Sequence, residues 1–163
     1  MMQIFDKNYV ELLCADAALN PRKRQCRNIH HSYQDPCQRL FNAIEPGSYI
    51  RPHRHLSCAR DELLVVVRGL IALVEFDADG KVNTVTPMGS EKHEASLAVG
   101  VEVTPDSWHT VVALEPGSIL LEVKAGPFDP TESKEFAPWA PEEGSEMAER
   151  YLEELLTLIS LVK

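Results

Sequence analysis

Eight short segments rich in β-branched and aliphatic residues lie between residues 37 and 125, and this series constrains the fold most strongly. Turn signals separate them, as at Glu45-Pro46-Gly47, Asp77-Ala78-Asp79-Gly80 and Glu115-Pro116-Gly117. Short strands at this regular spacing are typical of an all-β sandwich or barrel. The predicted strands are 38–45, 49–55, 62–68, 70–76, 82–88, 99–104, 109–114 and 118–125.

The segments on either side of this β region have a helical pattern. Residues 1–36 hold a short helix in which Tyr9, Leu12, Leu13 and Ala17 recur at helical spacing. Residues 126–163 start with a Pro-rich stretch and end in a helix over about 142–162. We expect the 163 residues to form a single domain. The apolar stripe of the last helix comprises Met147, Tyr151, Leu155, Leu158 and Val162.

The predicted strand 62–68 is apolar on both faces. Leu64 and Val66 point to one side, whereas Leu63, Val65 and Val67 point to the other. Such a strand must also be covered from outside, by a terminal segment or by a partner subunit. Together with the apolar helix at the end, this pattern predicts a homodimer.

The charge balance excludes several classes of partner. Lys and Arg number 16 against 25 Asp and Glu, which gives a net charge of -9. Nucleic acids and anionic membranes attract proteins through an excess of basic residues, so neither is an expected partner. We interpret the short basic stretch Arg22-Lys23-Arg24 with Arg27 as a solvated loop, with anion binding as the alternative.

The location is expected to be cytoplasmic. The first residues lack a basic segment followed by an apolar one, and the longest apolar run, 63–67, is too short to cross a bilayer. The cysteines at 14, 26, 37 and 58 form no CxxC pair, so we interpret them as reduced thiols.

Three histidines and a carboxylate have the spacing of a metal site. His53 and His55 point to the same side of a strand, Glu62 opens the next strand, and His109 opens a later one. Imidazole and carboxylate groups are ligands for a divalent transition metal, and Fe, Zn, Ni and Mn all remain open. Asp61 and Cys58 are the alternatives to Glu62.

The same residues resemble the metal-binding motifs of the cupin superfamily. The first motif is Gly47, His53-Arg54-His55, Glu62 and Gly69, and the second runs from Gly100 through Pro105 to His109. The gap between His55 and Glu62 is wider than usual, the second motif lacks its Gly, and Ala113 replaces its terminal Asn. The resemblance implies a double-stranded jelly-roll β-barrel with the metal inside.

A more extensive resemblance, over most of residues 20–141, is to the WbuC-like family of cupin-fold metalloproteins, which is associated with bacterial surface-polysaccharide (O-antigen) gene clusters. The segments that carry it are Pro21-Arg22, Asn28, His30, Gln38-Arg39, 46–55, Phe76-Asp77, Gly80, 108–118 and 136–141. This resemblance implies the fold and a bound metal, and it implies much less about which reaction the protein catalyses.

Three residues are candidates for binding an anionic substrate. Arg51 has the strand parity of His53 and His55, although Pro52 can break that parity. Arg39 is a second candidate, and the family resemblance suggests His30. A guanidinium suits a carboxylate or phosphate, but a pair with Asp or Glu at the barrel rim is the alternative for both arginines.

The predicted function is therefore a metal cupin that binds or converts a small anionic sugar or sugar nucleotide. As an enzyme it would be of the isomerase or oxygenase type. The alternative is a non-catalytic binding module that the metal stabilises, since one fold hosts both kinds of function. A metal-free sugar epimerase is a third hypothesis, but that chemistry favours a His–carboxylate pair over paired imidazoles.

Overall fold

The computed structural model describes residues 2–56, 59–93, 97–131 and 134–161. Its elements in chain order are α1 (Lys7–Leu19), β1 (Arg24–Asn28), β2 (Cys37–Ile44), β3 (His53–Arg54), β4 (Glu62–Arg68), β5 (Leu70–Phe76), β6 (Val82–Gly89), β7 (Gly100–Val103), β8 (Trp108–Ala113), β9 (Ser118–Ala125), β10 (Glu135–Phe136) and α2 (Glu146–Ser160).

The strands form two five-stranded antiparallel sheets. The first sheet has the order β1-β2-β9-β4-β7 and the second has the order β10-β3-β8-β5-β6. Hydrogen bonds between the described strands do not join the two sheets into a closed barrel. The mainly β prediction is confirmed, and the architecture is a cupin-type double-stranded jelly roll with a helix at each end.

Apolar side chains fill the space between the sheets, because each strand turns alternate residues inward. Leu64 and Val66 of β4 are buried there, opposite Ile71 and Leu73 of β5. Among the described residues, the buried members of this cluster are Ile44, Leu64, Val66, Ile71, Leu73, Met88, Val103, Val111, Ala113 and Leu120.

Helix α1 covers the outside of the first sheet. The carboxylate of Asp6 accepts a hydrogen bond from the backbone N–H of Tyr9 and so caps the helix start. Leu13 and Ala17 are fully buried in a cluster with side chains of β2 and β9. Leu12, which we expected on this apolar face, is instead 53% exposed.

The outer face of β4 lies beside this helix and is only partly covered. Leu63 is 39% exposed and Val67 is 41% exposed. The sequence therefore identified β4 correctly as apolar on both sides, and its outer side chains remain accessible in the isolated chain.

Helix α2 covers the outside of the second sheet. Ser145 caps it by accepting a hydrogen bond from the N–H of Ala148. The predicted stripe was right for Leu155, which is buried, and for Tyr151, which is partly buried, but Met147 and Leu158 are exposed and Val162 lies outside the described residues. The buried face comprises Ala148, Leu152, Leu155 and Ile159.

The basic stretch predicted as a loop includes strand β1. It pairs with β2 along its whole length, from Arg24 opposite Ile44 to Asn28 opposite Leu40. Arg22 and Arg24 both form ion pairs with Glu143. The charges of these two arginines are therefore already paired within the chain.

The predicted strand 49–55 is shorter than expected. Only β3 has strand geometry, because Pro52 lacks the N–H that a strand donates. Strand β10, which was not predicted, pairs with β3 at Phe136 opposite His53. No helix among the described residues is both long and apolar enough to span a membrane.

Candidate metal centre

Three histidines that are far apart in the sequence meet between the two sheets. His53 lies on β3 directly opposite His109 of β8, and His55 follows β3. Their ligand atoms all lie within 4.8 Å of one another. All three side chains are buried. The spacing suits three imidazoles that share one ion.

Backbone carbonyls fix the tautomer of two of these rings. The Nδ1 atom of His53 lies 2.9 Å from the carbonyl oxygen of Arg51, and that of His109 lies 3.0 Å from the carbonyl oxygen of Ser107. A carbonyl only accepts hydrogen bonds, so each Nδ1 carries a proton. A neutral ring that is protonated at Nδ1 binds a metal through Nε2.

Burial also keeps His53 neutral. Removal from water lowers the pKa of His53 well below its usual value, and the charge of Lys134 and the nearby His109 lower it further. A metal binds neutral imidazole, so the ring needs to lose no proton at neutral pH.

Glu62 borders the three histidines from the first sheet. Its Oε2 atom lies 3.2 Å from Nε2 of His55 and 3.6 Å from Nε2 of His109. Its Oε1 atom accepts a hydrogen bond of 2.8 Å from the ammonium of Lys124. Burial raises the pKa of Glu62, but Lys124 and the two imidazoles outweigh this and hold it well below its usual value.

This arrangement of donor atoms fits a cation. Nε2 of His55 and Nε2 of His109 converge on the same buried carboxylate oxygen of Glu62, at 3.2 and 3.6 Å. Ligand atoms that converge in a buried place in this way can share one cation. Three imidazoles and one carboxylate are a set that divalent transition metals accept.

The space beside the histidines is small and has a polar wall. A cavity of about 30 Å³ lies there, comparable with the share of one water molecule in the liquid, which is about 30 Å³. The polar side chains that line it are His53, His109, Glu62, Asn42, Glu122 and Lys134, and the apolar ones are Ile50, Leu64, Val111 and Leu120.

Sequence reasoning did not identify Asn42, Glu122 and Lys134 as part of the site. A signal existed for Glu122, since it shares a strand face with Lys124 whereas Ile119 and Leu121 share the other. The apolar face lies under α1 and the polar face lines the cavity. No pattern pointed to Lys134, which comes from the irregular segment after β9.

The structure places the predicted substrate-binding residues outside this cavity wall. Arg51 donates to the carbonyl oxygen of Ala137, and its guanidinium lies 5.3 Å above the Phe136 ring. Arg39 donates to the carbonyl oxygen of Cys37. His30 is buried and lines a separate, more open cavity of about 320 Å³.

The two alternatives to Glu62 have different surroundings. Asp61 is exposed while Glu62 is buried, because consecutive strand residues face opposite sides. Cys58 lies outside the described residues.

Two solved structures share this architecture at low sequence identity. The protein SO0799 from Shewanella oneidensis is 12% identical, with 90% of this chain and 94% of that chain covered and a TM-score of 0.56. The capsular polysaccharide assembling protein CapF from Staphylococcus aureus is 18% identical, with 72% of this chain but 32% of that chain covered and a TM-score of 0.56. At these identities the likeness shows the fold alone.

A cupin superfamily protein from Desulfitobacterium hafniense is 12% identical, with 63% of this chain and 76% of that chain covered and a TM-score of 0.46. No curated protein matches the sequence. A family described as a domain of unknown function, DUF6016, matches residues 5–88. This match spans more than half of the residues, and the chain therefore belongs to the DUF6016 family.

Proposed function

We propose that this protein binds one divalent transition metal through His53, His55, His109 and Glu62 and presents it to a small anionic ligand. The observation that carries the proposal is the convergence of three buried imidazoles whose ligand atoms lie within 4.8 Å of one another. Buried polar groups need partners, and imidazoles brought together at this distance find one in a shared cation.

The surrounding residues hold the ligand set in place. The carbonyl oxygens of Arg51 and Ser107 orient the rings of His53 and His109. Lys124 binds one oxygen of Glu62, so the other oxygen faces the histidines. When bound, the metal supplies a Lewis acid that can polarise a ligand oxygen or activate water or dioxygen.

The ligand that we propose is a small anionic sugar or sugar nucleotide of bacterial surface-polysaccharide metabolism, handled in the cytoplasm. The resemblance to the WbuC-like family supports this assignment. The structural neighbour CapF is by name a capsular polysaccharide assembling protein, which is consistent with it. If the protein converts this ligand, we propose that it is an enzyme of the isomerase or oxygenase type.

A second candidate is a non-catalytic module that the metal stabilises. The burial of the three histidines is consistent with it, because a metal bound in the interior stabilises the fold that holds it. Incubation of the metal-loaded protein with sugar nucleotides, followed by mass spectrometry, separates the two candidates. Conversion supports an enzyme, whereas retention of unchanged ligand supports a module.

Metal content tests the proposal itself. Purified protein is loaded with Zn²⁺, Fe²⁺, Ni²⁺ or Mn²⁺, desalted and measured by elemental analysis, next to His53→Ala and the control His31→Ala. His31 is exposed, so its loss should change nothing. We expect one equivalent of at least one metal in the wild type and the control, and a large loss in His53→Ala. Equal metal content in all three proteins would contradict the site.

A further inference from the structure

Four charged side chains in or beside the cavity wall carry charges that metal binding alone does not explain. Glu62 and Lys124 form one ion pair, with 2.8 Å between Oε1 and Nζ. Glu122 and Lys134 add a second carboxylate and a second ammonium to the same surroundings. With neutral histidines, these four groups sum to zero charge.

A divalent ion in this site would leave two positive charges without balance. Buried charge is costly unless it is paired, so a site of this composition favours an anion next to the metal. Lys134 is placed for this role: its residue is exposed, so it lies at the open end of the cavity that it lines with His53, where its charge acts on His53 and Glu62. Within the described part of the chain, no hydrogen bond or ion pair engages its ammonium.

Asn42 adds a second recognition element. Its Nδ2 atom donates to Oε1 of Glu122 at 2.9 Å, and because a carboxylate only accepts, this contact fixes the orientation of the amide. The Oδ1 atom of Asn42 is buried and has no hydrogen-bond partner among the residues that the structure describes. An unpaired buried acceptor is costly, and a ligand O–H or N–H would satisfy it.

We propose, building on the metal site of the preceding section, that Lys134 and Asn42 select the ligand: Lys134 binds a carboxylate, and Oδ1 of Asn42 accepts from an adjacent hydroxyl. The ligand class is therefore a hydroxycarboxylate, such as the acidic end of a sugar acid. The cavity of about 30 Å³ has the volume of about one water molecule, so the ligand would insert only its polar end and would remain mostly outside.

Glycolate titrated into Co²⁺-loaded protein tests this inference through the visible absorption of the cobalt. Glycolamide lacks the negative charge and acetate lacks the hydroxyl, so each probe removes one of the two contacts. We expect glycolate to bind about 10- to 100-fold more tightly than glycolamide, the range for a charged hydrogen bond. We expect acetate to bind more weakly than glycolate.

Variants assign these preferences to residues. Lys134→Met should abolish the preference for glycolate over glycolamide, Lys134→Arg should retain it, and Asn42→Leu should abolish the preference over acetate. The control is Lys81→Met at an exposed position, which should behave as the wild type. Cobalt content, measured in the same samples, checks that each variant keeps the site.

The outcomes separate this inference from the metal site. Wild-type protein that holds neither cobalt nor any of Zn²⁺, Fe²⁺, Ni²⁺ and Mn²⁺ would overturn both proposals. Protein that holds cobalt but binds glycolate and glycolamide equally, or a Lys134→Met variant that keeps the full preference, would overturn the ligand assignment alone.

Discussion

At the scale of single residues, neighbouring carboxylates lie in opposite environments. Asp61 is exposed, whereas Glu62 is buried between the histidines and Lys124. The two side chains differ by one methylene group and lie next to each other in the chain. This pair therefore offers a matched test of the fourth metal ligand.

Replacing Glu62→Gln should weaken metal binding about 10- to 100-fold, the range seen when groups that hold or orient metal ligands are removed. Asp61→Asn should leave affinity unchanged because its carboxylate faces solvent. Competition with a chromophoric chelator measures both constants. If Asp61→Asn weakened metal binding and Glu62→Gln did not, the fourth ligand would be Asp61 and not Glu62.

The residues of the site were predictable to different degrees. Strand parity placed His53 and His55 on one side, and the motif distance to Gly69 favoured Glu62 over Asp61. Asn42 and Lys134 were not predictable in the same way, because their positions in the cavity wall depend on how distant segments pack. Strand parity did not predict the position of Arg51. The chain around Pro52 is not a regular strand, and the Arg51 guanidinium lies over the ring of Phe136.

At the scale of elements, Gly69 is the turn between β4 and β5. It has a φ of +79°, and a Cβ there would collide with the hydroxyl of Ser118. Gly144 has a similar φ of +83°, but a Cβ added there would meet no atom within 4 Å. The two positions therefore separate backbone strain from steric collision.

Gly69→Ala should lower the free energy of unfolding by about 2–4 kcal/mol, through left-handed backbone strain plus overpacking. Gly144→Ala should cost about 1 kcal/mol, because only the backbone strain applies. Urea denaturation gives both values. If both variants lost the same free energy of unfolding, Ser118 would have moved to make room for the added methyl group.

Glu143 connects the segment before α2 to β1. It accepts hydrogen bonds from Arg22 and Arg24 at 2.6 and 2.7 Å. Burial raises the pKa of Glu143, but these hydrogen bonds outweigh burial and lower it below its ordinary value of 4.5. A carboxyl whose pKa falls on folding stabilises the fold above its unfolded pKa and loses that effect as pH falls through its folded pKa.

Glu143→Gln should therefore lower the free energy of unfolding by about 1 kcal/mol at neutral pH. This difference from the wild type should shrink below pH 4.5. Urea denaturation at neutral pH and at several lower pH values measures this. A difference that stays constant across the range would mean that the carboxylate charge contributes nothing.

The order of the elements was largely predictable from turn signals and alternation. The buried face of α2 was only partly predictable, because its neighbouring stripes are both apolar and differ by one residue, or about 100° around the helix. The choice of Ala148 and Leu152 over Met147 depends on the sheet beneath them. Strand β1 was missed because its charged side chains do not resemble a strand interior.

At the scale of the whole molecule, the first sheet has an apolar area that the chain itself covers only partly. Leu63 and Val67 of β4 are exposed by 39 and 41%. Exposed apolar side chains that cluster on one face are typical of contacts between subunits. The homodimer expected from the sequence remains a prediction, and this face is where we place it.

Multi-angle light scattering should show a dimer at micromolar concentration, and the double variant Leu63→Glu with Val67→Glu should be monomeric. Leu19→Glu is the control, since Leu19 is 85% exposed and lies at the end of α1. A monomeric wild-type protein would contradict the prediction.

X-ray absorption spectroscopy of the metal-loaded protein tests whether the three histidines share one cation. The extended fine structure counts imidazole ligands through their characteristic multiple scattering. We predict three imidazoles around the metal in the wild type and two in the His109→Ala variant. A wild-type spectrum with one imidazole or none would show that His53, His55 and His109 do not share an ion.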